Sequence, residues 1–397
     1  MPAPSLIVLL CVMTGANTVS IGAFPALLPE LGAAGALADW QLGAIAGAFG
    51  FARMLTDVPS GLFMTHHLAR ALRLGPVLLL AGAALIGTGG SFGVLLLGRG
   101  LMGAGHTLAT LGALTAILRY HGSGRLASAL AASEFAAMLG VLVGAGLTAA
   151  LPRAVSWNVA LLIACTPVLV TLALLPALGR ALPRADGAGP RPLFARSAAA
   201  PAGAPPPPAW TGAAAGPWLG LLAGTAGAAV AICYATVDQF VIPVRGSREF
   251  ALDRAGIARL LMLGQLVDIL AVLPLGALAD RRGAPSVLGG ILLLMAAAVG
   301  LVAFGTLPLM VAGYGLFGLA MAGWTLPLTL LQAVTAPNQI AWRTALYRVA
   351  VDGGMCLGPL LSGVLTARHA GAVPGVMAAV LTATGVTLLA RRRLSVR

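Results

Sequence analysis

The chain has 397 residues, of which 59% are hydrophobic and 9% are charged, and its mean hydropathy is +0.96. Soluble domains carry about 25% charged residues, so this composition excludes a soluble fold and predicts a membrane protein. The net charge of +13 comes from arginines that stand in short clusters between apolar runs. Because they do not form one polar face, they argue against nucleic-acid binding.

Apolar runs long enough to cross a bilayer recur along the whole chain. A membrane-spanning helix needs about 20 mostly apolar residues, because the hydrocarbon core is about 30 Å thick. The runs predict twelve such helices, which we call segments 1 to 12. In chain order they span residues 5–29, 41–64, 74–90, 93–118, 126–150, 155–178, 217–243, 256–278, 285–304, 307–333, 341–366 and 372–390. We therefore expect an all-α membrane protein.

A polar, proline-rich stretch divides the twelve segments into two sets of six. It carries five charged residues and the run Pro205–Pro208, so it is too polar to span a membrane and predicts a flexible linker. The expected domains are an N-terminal six-helix bundle, a Pro/Ala-rich linker, and a C-terminal six-helix bundle with a short basic tail. Their boundaries are residues 1–179, 180–216 and 217–397.

The arginines near segment ends predict the topology. Fifteen of them flank the even-to-odd connections, the linker and the tail, whereas six lie on the opposite side. Cytoplasmic loops carry the excess of basic residues, so both termini and the linker should be cytoplasmic. The first segment lacks a basic leader and a cleavage site, which favours an uncleaved helix of an inner (plasma) membrane protein.

The two sets of segments are related by an internal repeat. An offset of 215 takes Gly61 to Gly276 and Pro59 to Pro274. The same offset takes one glycine-rich run onto another, Gly98, Gly100, Leu101 and Gly103 onto Gly313, Gly315, Leu316 and Gly318. Since six helices separate the copies, the halves should have the same orientation in the membrane, as a parallel repeat.

Short motifs between and within the segments resemble those of the major facilitator superfamily. The loop after segment 8 is similar to its signature of Gly, three residues, Asp, Arg, any residue and Gly, here Gly276, Asp280, Arg281 and Gly283. The resemblance implies two six-helix bundles around a central cavity, with those four residues in a cytoplasmic gating loop. In the equivalent first-half loop, Thr65 and His66 replace the Asp and Arg.

Two further patches carry the same resemblance. Residues 99–105 in segment 4 are similar to the arginine-and-glycine motif of proton-coupled members, and residues 354–363 in segment 11 are similar to the antiporter motif. That antiporter motif normally lies in segment 5, where this chain has Ala145 in the proline position. The glycines and Pro359 also predict close helix packing and a bend without any family argument.

Ionisable residues inside membrane segments are candidates for function, because each one needs a partner or a polar cavity. Arg53 and Asp57 are four residues apart, as are Arg348 and Asp352, so each pair can neutralise itself on one helix face. The repeat offset instead aligns Arg53 with Asp268 and Glu134 with Arg348. The alternative is therefore an interhelical charge network of these residues that breaks and reforms as the halves move.

The candidates for the substrate and proton pathway are Arg99, Glu134, Asp238, Asp268, Asn17 and His106. Glu134 and Asp238 have no opposite charge nearby on their own helix, so either is a candidate proton carrier or a structural carboxylate. Asp238 stands near the predicted outer end of segment 7, which favours simple solvation. The buried Arg99 needs a carboxylate, a carbonyl or an anionic ligand. His106 and Tyr314 can line a pocket or simply pack.

The composition and motifs predict a secondary transporter, with proton-coupled export of a small organic compound as the leading interpretation. Proton-coupled uptake of an organic anion fits the same residues, and a non-transporting sensor or scaffold on the same fold stays open. The sequence shows no metal-ligand spacing, nucleophile motif or phosphate-binding loop, so we expect no enzyme and no cofactor. The expected partners are a small-molecule substrate, protons and the lipid bilayer, with no nucleic acid, and the protein should be monomeric.

Overall fold

The computed structural model describes residues 6–120, 126–182, 217–335, 339–369 and 371–395. Within these ranges the chain is built from α-helices and short connections, with no β-strand. Most of the predicted linker lies outside the described residues. So do Asn338, a polar residue just before segment 11 that is a weak candidate for function, and the arginines Arg125, Arg184, Arg191, Arg196 and Arg397.

Fourteen helices follow one another in the described part of the chain. They are α1 (Leu6–Ala34), α2 (Asp39–Gly87), α3 (Phe92–Tyr120), α4 (Leu126–Ala150), α5 (Trp157–Cys165), α6 (Val168–Ala181), α7 (Pro217–Thr236), α8 (Ile242–Phe250), α9 (Arg254–Arg282), α10 (Ala284–Phe304), α11 (Leu307–Met321), α12 (Leu326–Ala333), α13 (Ile340–His369) and α14 (Ala372–Ser395). A π-helical turn, Val237–Val241, joins α7 to α8. Segments 6, 7 and 10 are thus each made of more than one helical piece.

The main departure from the predicted elements is in α2. We expected segments 2 and 3 to be separated by a loop, but α2 runs for 49 residues through both and only kinks, at His67. At 1.5 Å per residue it is about 74 Å long, roughly twice what one crossing needs. The described residues contain eleven helices long and apolar enough to span a membrane, and dividing α2 at His67 makes twelve segments.

The buried residues form three apolar clusters. The largest consists mostly of residues of α7 to α14 but includes Ala26 and Ala145 of the N-terminal half. Of the two smaller clusters in α1 to α6, one also includes Phe240 and Val244 of the C-terminal half. The halves meet along two seams, α2 against α13 and α4 against α9. These helices hold segments 2, 11, 5 and 8.

Glycines bring α2 and α13 into close contact at one end of the molecule. A Cβ atom on Gly47 would stand 2.5 Å from the carbonyl oxygen of Cys356, and one on Gly50 would stand 2.6 Å from its backbone nitrogen. Gly43 packs in the same way against the backbone of Pro359. The predicted role of the residues around Pro359 in close helix packing is therefore confirmed, and the packing joins the two halves.

Candidate functional site

The two halves are clasped together at the end where α1 ends and α9 begins, which we call the closed end. Arg254 is the first residue of α9 and is only 4% exposed. Its guanidinium donates to the carbonyl oxygens of Pro152 at 2.8 Å and of Val155 at 3.1 Å, and it pairs with Oε2 of Glu30 at 3.2 Å. One arginine of the C-terminal half thus binds two parts of the N-terminal half.

Two more ion pairs cross the closed end. Arg248 lies 2.5 Å from Asp39, and Arg153 lies 2.5 Å from Asp253. Asp253 also caps α9 by accepting a hydrogen bond from the backbone N–H of Gly256 at 2.8 Å. That hydrogen bond and then the one from Arg153 hold the pKa of the Asp253 carboxyl below its ordinary value.

Arg99 lies further from the closed end than these ion pairs, and its side chain is 1% exposed. Its guanidinium carbon lies 3.8 Å from the ring centroid of Phe24 and 4.5 Å from that of Phe49, so the cation is held between two aromatic faces. Its Nη2 donates to Oε1 of Gln239, in the C-terminal half, at 3.2 Å. Its Nε and Nη1 atoms have no hydrogen-bond partner among the described residues. Arg99 therefore touches both halves.

Asp238 is held in the π-helical turn next to Gln239. Tyr314 on α11 donates a short hydrogen bond to Oδ1 of Asp238, and the Gln239 amide donates to Oδ2 at 3.0 Å. We expected Asp238 near the outer end of segment 7, but α8 extends that segment to Phe250, about 18 Å further along a helical path. Solvation at a helix end is therefore the wrong explanation for this carboxyl.

The arginines and aspartates of the α2–α13 seam pair across helices. Arg53 Nη2 lies 2.9 Å from Oδ1 of Asp352, within ion-pair distance but not aligned for a hydrogen bond to that atom. Arg348 donates to Oδ2 of Asp57 at 3.0 Å. Both aspartates are buried. The interpretation that each pair neutralises itself on its own helix is wrong for this structure, and the interhelical alternative describes it.

The repeat-based pairing of Arg53 with Asp268 and of Glu134 with Arg348 does not occur in this structure. Glu134 on α4 shares a helix face with Ala145, eleven residues further on, and Ala145 belongs to the core of the C-terminal half. Glu134 is exposed and acts electrostatically on Asp268 of α9. Asp268 accepts a long contact from Gln265 at 3.5 Å, and its Oδ1 has no partner in the described part of the chain. The α4–α9 seam thus places one carboxyl of each half within electrostatic reach of the other.

The remaining predicted residues lie in separate places. His106 is buried beside the Phe49 ring at 5.5 Å, and its Nδ1 has no partner among the described residues. Asn17 is buried between α1 and α6, where it accepts a hydrogen bond from Thr171, apart from the other pathway candidates.

Of the four residues predicted to form a gating loop, Gly276, Asp280 and Arg281 lie within α9, and Gly283 alone lies between α9 and α10. Gly283 has a positive φ of 86° that ends α9, and the side chains of Asp280 and Arg281 are exposed. Gly276 lies within α9, where a Cβ would meet nothing within 4 Å.

Sequence reasoning missed two residues that join the halves. Gln239 is a neutral amide that carried no signal beyond standing next to Asp238, and Arg254 was counted only as a loop arginine. The sequence did contain one signal for Arg254. It follows Asp253 directly, and an Asp before an apolar run marks the start of a helix, so Arg254 is expected at the first position of that helix.

No family model and no curated protein matches this sequence. Solved structures do share its fold. A bacterial homolog of the human lysosomal transporter Spinster, in an inward-facing and unoccupied conformation, is 16% identical with a TM-score of 0.71, over 97% of this chain and 94% of that one.

Two more solved structures match over almost the full length. A peptide transporter, POT, in complex with alafosfalin is 14% identical with a TM-score of 0.69, over 97% of this chain and 93% of that one. The human organic anion transporter MFSD10 is 19% identical with a TM-score of 0.64, over 98% and 100%. The chain has the fold of the major facilitator superfamily.

Proposed function

We propose that this protein is a secondary transporter that moves a small organic compound by alternating access and couples its export to protons. The observation that carries the proposal is the carboxyl pair of Glu134 and Asp268 in the α4–α9 seam. The other seam is electrically balanced, because its two arginines meet two aspartates. The carboxyl pair has no such arginine within the described residues, so a proton or a cationic group of a substrate can supply the missing positive charge.

The carboxyl pair also links charge to the movement of the halves. Glu134 belongs to one half and Asp268 to the other, so two negative charges repel across the seam and favour its separation. Binding of a proton or a cation removes that repulsion and lets the seam close. The crossed pairs of the α2–α13 seam and the clasp at the closed end are the contacts that must exchange during the cycle.

The arginine distribution assigns the closed end to the outer side of an inner (plasma) membrane, with both termini and the linker in the cytoplasm. We propose that in this orientation the closed end faces outward and that the protein acts as a monomer. The gating loop of Gly276, Asp280, Arg281 and Gly283 then lies on the cytoplasmic side, where it would engage when that side closes.

Uptake of an organic anion is the second candidate function. The observation that favours it is the group of positive charges around His106, which lies in the electrostatic field of Arg53, Arg99 and Arg348. An anionic substrate would be attracted to that field, and two N–H groups of Arg99 are free of protein acceptors within the described residues. A non-transporting sensor is the third, and it would move no compound in either direction.

The test is the intracellular accumulation of labelled dyes and organic acids in cells that express the wild type or Glu134→Gln, with and without a protonophore. We expect the wild type to lower dye accumulation at least severalfold, and we expect both the protonophore and Glu134→Gln to abolish this effect. Glu249→Gln is the matched control, because among the described residues Glu249 forms an ion pair with Arg245 alone, one helical turn away in the C-terminal half.

The alternatives give different results in the same assay. Gradient-dependent gain of an organic acid would support uptake and reject export. Wild-type cells that match empty-vector cells for every compound would reject transport of these classes and favour the sensor. If Glu134→Gln exports as well as the wild type, the carboxyl pair is not the proton site.

A further inference from the structure

A continuous hydrogen-bonded chain connects the two halves next to the closed end. Arg99 donates to Oε1 of Gln239 at 3.2 Å, Gln239 donates to Oδ2 of Asp238 at 3.0 Å, and Tyr314 donates to Oδ1 of Asp238. Within this chain of bonds, only the one from Arg99 crosses between the halves, since Asp238 and Gln239 belong to the π-helical turn and Tyr314 to α11 of the C-terminal half. Gln239 is therefore the residue through which Arg99 meets Asp238.

The orientation of the Gln239 amide is fixed by its two neighbours. A guanidinium has donors and no acceptor, so the amide oxygen must face Arg99 and the amide nitrogen must face Asp238. Both oxygens of Asp238 then receive a hydrogen, which is the arrangement that an ionised carboxylate satisfies. Gln239 is 4% exposed, so solvent does not supply alternative partners in this conformation.

Protonation of Asp238 weakens this chain at either oxygen. A proton on Oδ2 faces the amide N–H, and the amide can accept it only by turning over, which breaks the bond to Arg99. A proton on Oδ1 forces the Tyr314 hydroxyl to reverse and leaves Gln239 with a neutral acceptor. Because hydrogen bonds to a charged group are roughly twice as strong as neutral ones, the tie between the halves is weaker in both cases.

We propose that Gln239 is a positioning residue that converts the charge state of Asp238 into opening or closing of the closed end. Ionised Asp238 holds the amide in place and the closed end shut, and protonated Asp238 releases it. This inference rests on the proposed proton coupling and adds a second protonation, at Asp238, to that of the carboxyl pair of Glu134 and Asp268.

Other ionisable groups surround the chain and contribute to any pH response. Tyr314 faces Asp238 from α11 and Tyr234 lies near it on α7, and both tyrosines lie in the field of Asp268 of α9. Tyr234 is also in the field of Arg53 of α2 and Arg99 of α3. The assignment to Gln239 therefore depends on comparing variants at the same pH values and not on the wild-type response alone.

The experiment measures the distance across the closed end by electron paramagnetic resonance in purified, reconstituted protein between pH 8 and pH 5. The spin labels stand at Ala34→Cys and Thr306→Cys, exposed positions at the end of α1 and before α11, in a variant without the four native cysteines. We expect the ratio of open to shut molecules to rise about tenfold on acidification. In Gln239→Met, which keeps the length of the side chain without its amide, this rise should fall below about twofold.

A second variant of Gln239 and a matched control variant test whether the effect is specific to the Gln239 amide. Gln239→Asn keeps the amide but is too short to reach both neighbours, so it should lose the response even if Gln239→Met does not fold. Gln332→Met changes an exposed glutamine on α12 and should respond like the wild type. A folded Gln239→Met or Gln239→Asn with the full response, or a wild type whose distances ignore pH, would overturn the inference.

The inference and the proposed function can fail separately. Distances in purified protein need no substrate, so a protein that opens through Gln239 but moves no compound would keep the inference and reject the function. A proton-coupled transporter whose pH response is unchanged in Gln239→Met would keep the function and reject the inference.

Discussion

The contribution of Arg254 to the closed end gives the most direct quantitative prediction. Arg254→Met keeps much of the side-chain volume but removes the donors to Pro152 and Val155 and the partner of Glu30. A hydrogen bond from a charged group contributes about 1.5–3 kcal/mol, and breaking a buried ion pair costs about 3–5 kcal/mol. Because Glu30 is 40% exposed and can be hydrated once the pair breaks, we take the low figure of about 3 kcal/mol.

A loss of about 3 kcal/mol corresponds to a shift of about 100-fold in the ratio of open to shut molecules. The distance between the labels at residues 34 and 306 measures that ratio directly at pH 7. Arg248→Met is the matched control, since Arg248 is 51% exposed and its single pair with Asp39 should contribute at most about 1 kcal/mol. It should shift the ratio by about fivefold or less.

The two variants together test whether burial of an arginine decides how strongly it stabilises the closed end. An equal shift in Arg248→Met and Arg254→Met would refute the reasoning, because the same charge would then count equally at exposed and buried positions. No shift in either variant would mean that the glycine contacts between α2 and α13 hold the closed end by themselves.

Three further outcomes follow from the same contacts. Gly47→Leu should open the closed end in the label-distance assay and lower transport at least tenfold, because no side chain fits at 2.5 Å from a backbone oxygen, whereas Gly61→Leu meets open space and should act like the wild type. Arg53→Asp should abolish transport, because the new carboxylate would face the carboxylate of Asp352. Adding Asp352→Arg should restore a measurable part of the transport. A double variant that is expressed normally but does not transport would contradict the pairing of Arg53 with Asp352. Asp253→Asn should leave the pH response between pH 8 and pH 5 unchanged. The pKa of the Asp253 carboxyl lies below its ordinary value of 3.8, so this carboxylate stays ionised and stabilises the closed end throughout that range, and the effect is lost only in stronger acid. A changed response would contradict this.

The helical architecture could be predicted from the sequence because hydropathy reports it directly. Each long apolar run must form a helix, since lipid satisfies no backbone polar group. The error in α2 has a physical cause. The polar residues after Thr65 leave the apolar pattern, yet the stretch 68–73 contains only Leu, Ala and Arg, which are strong helix formers, and no Gly or Pro breaks it. Polarity ended the predicted segment but did not end the helix.

The candidate site was only partly predictable. Spacing along one helix identified Arg53, Asp57, Arg348 and Asp352 as charged partners, but it could not choose between a pair on one helix and a pair across two. That choice depends on how closely α2 and α13 approach, which the glycines near Gly47 decide. Gln239 could not be found by counting charges, because it is neutral and its contact with Arg99 joins residues that are 140 positions apart in the sequence.

The two seams divide the work of the proposed cycle. In the α2–α13 seam, opening separates opposite charges, and this is tolerable only if water or new partners reach Arg53 and Asp352 as the helices part. In the α4–α9 seam, separation relieves the repulsion of Glu134 and Asp268, and closure requires a proton or a cation. One seam therefore resists opening and the other resists closing, and only the second depends on an added positive charge.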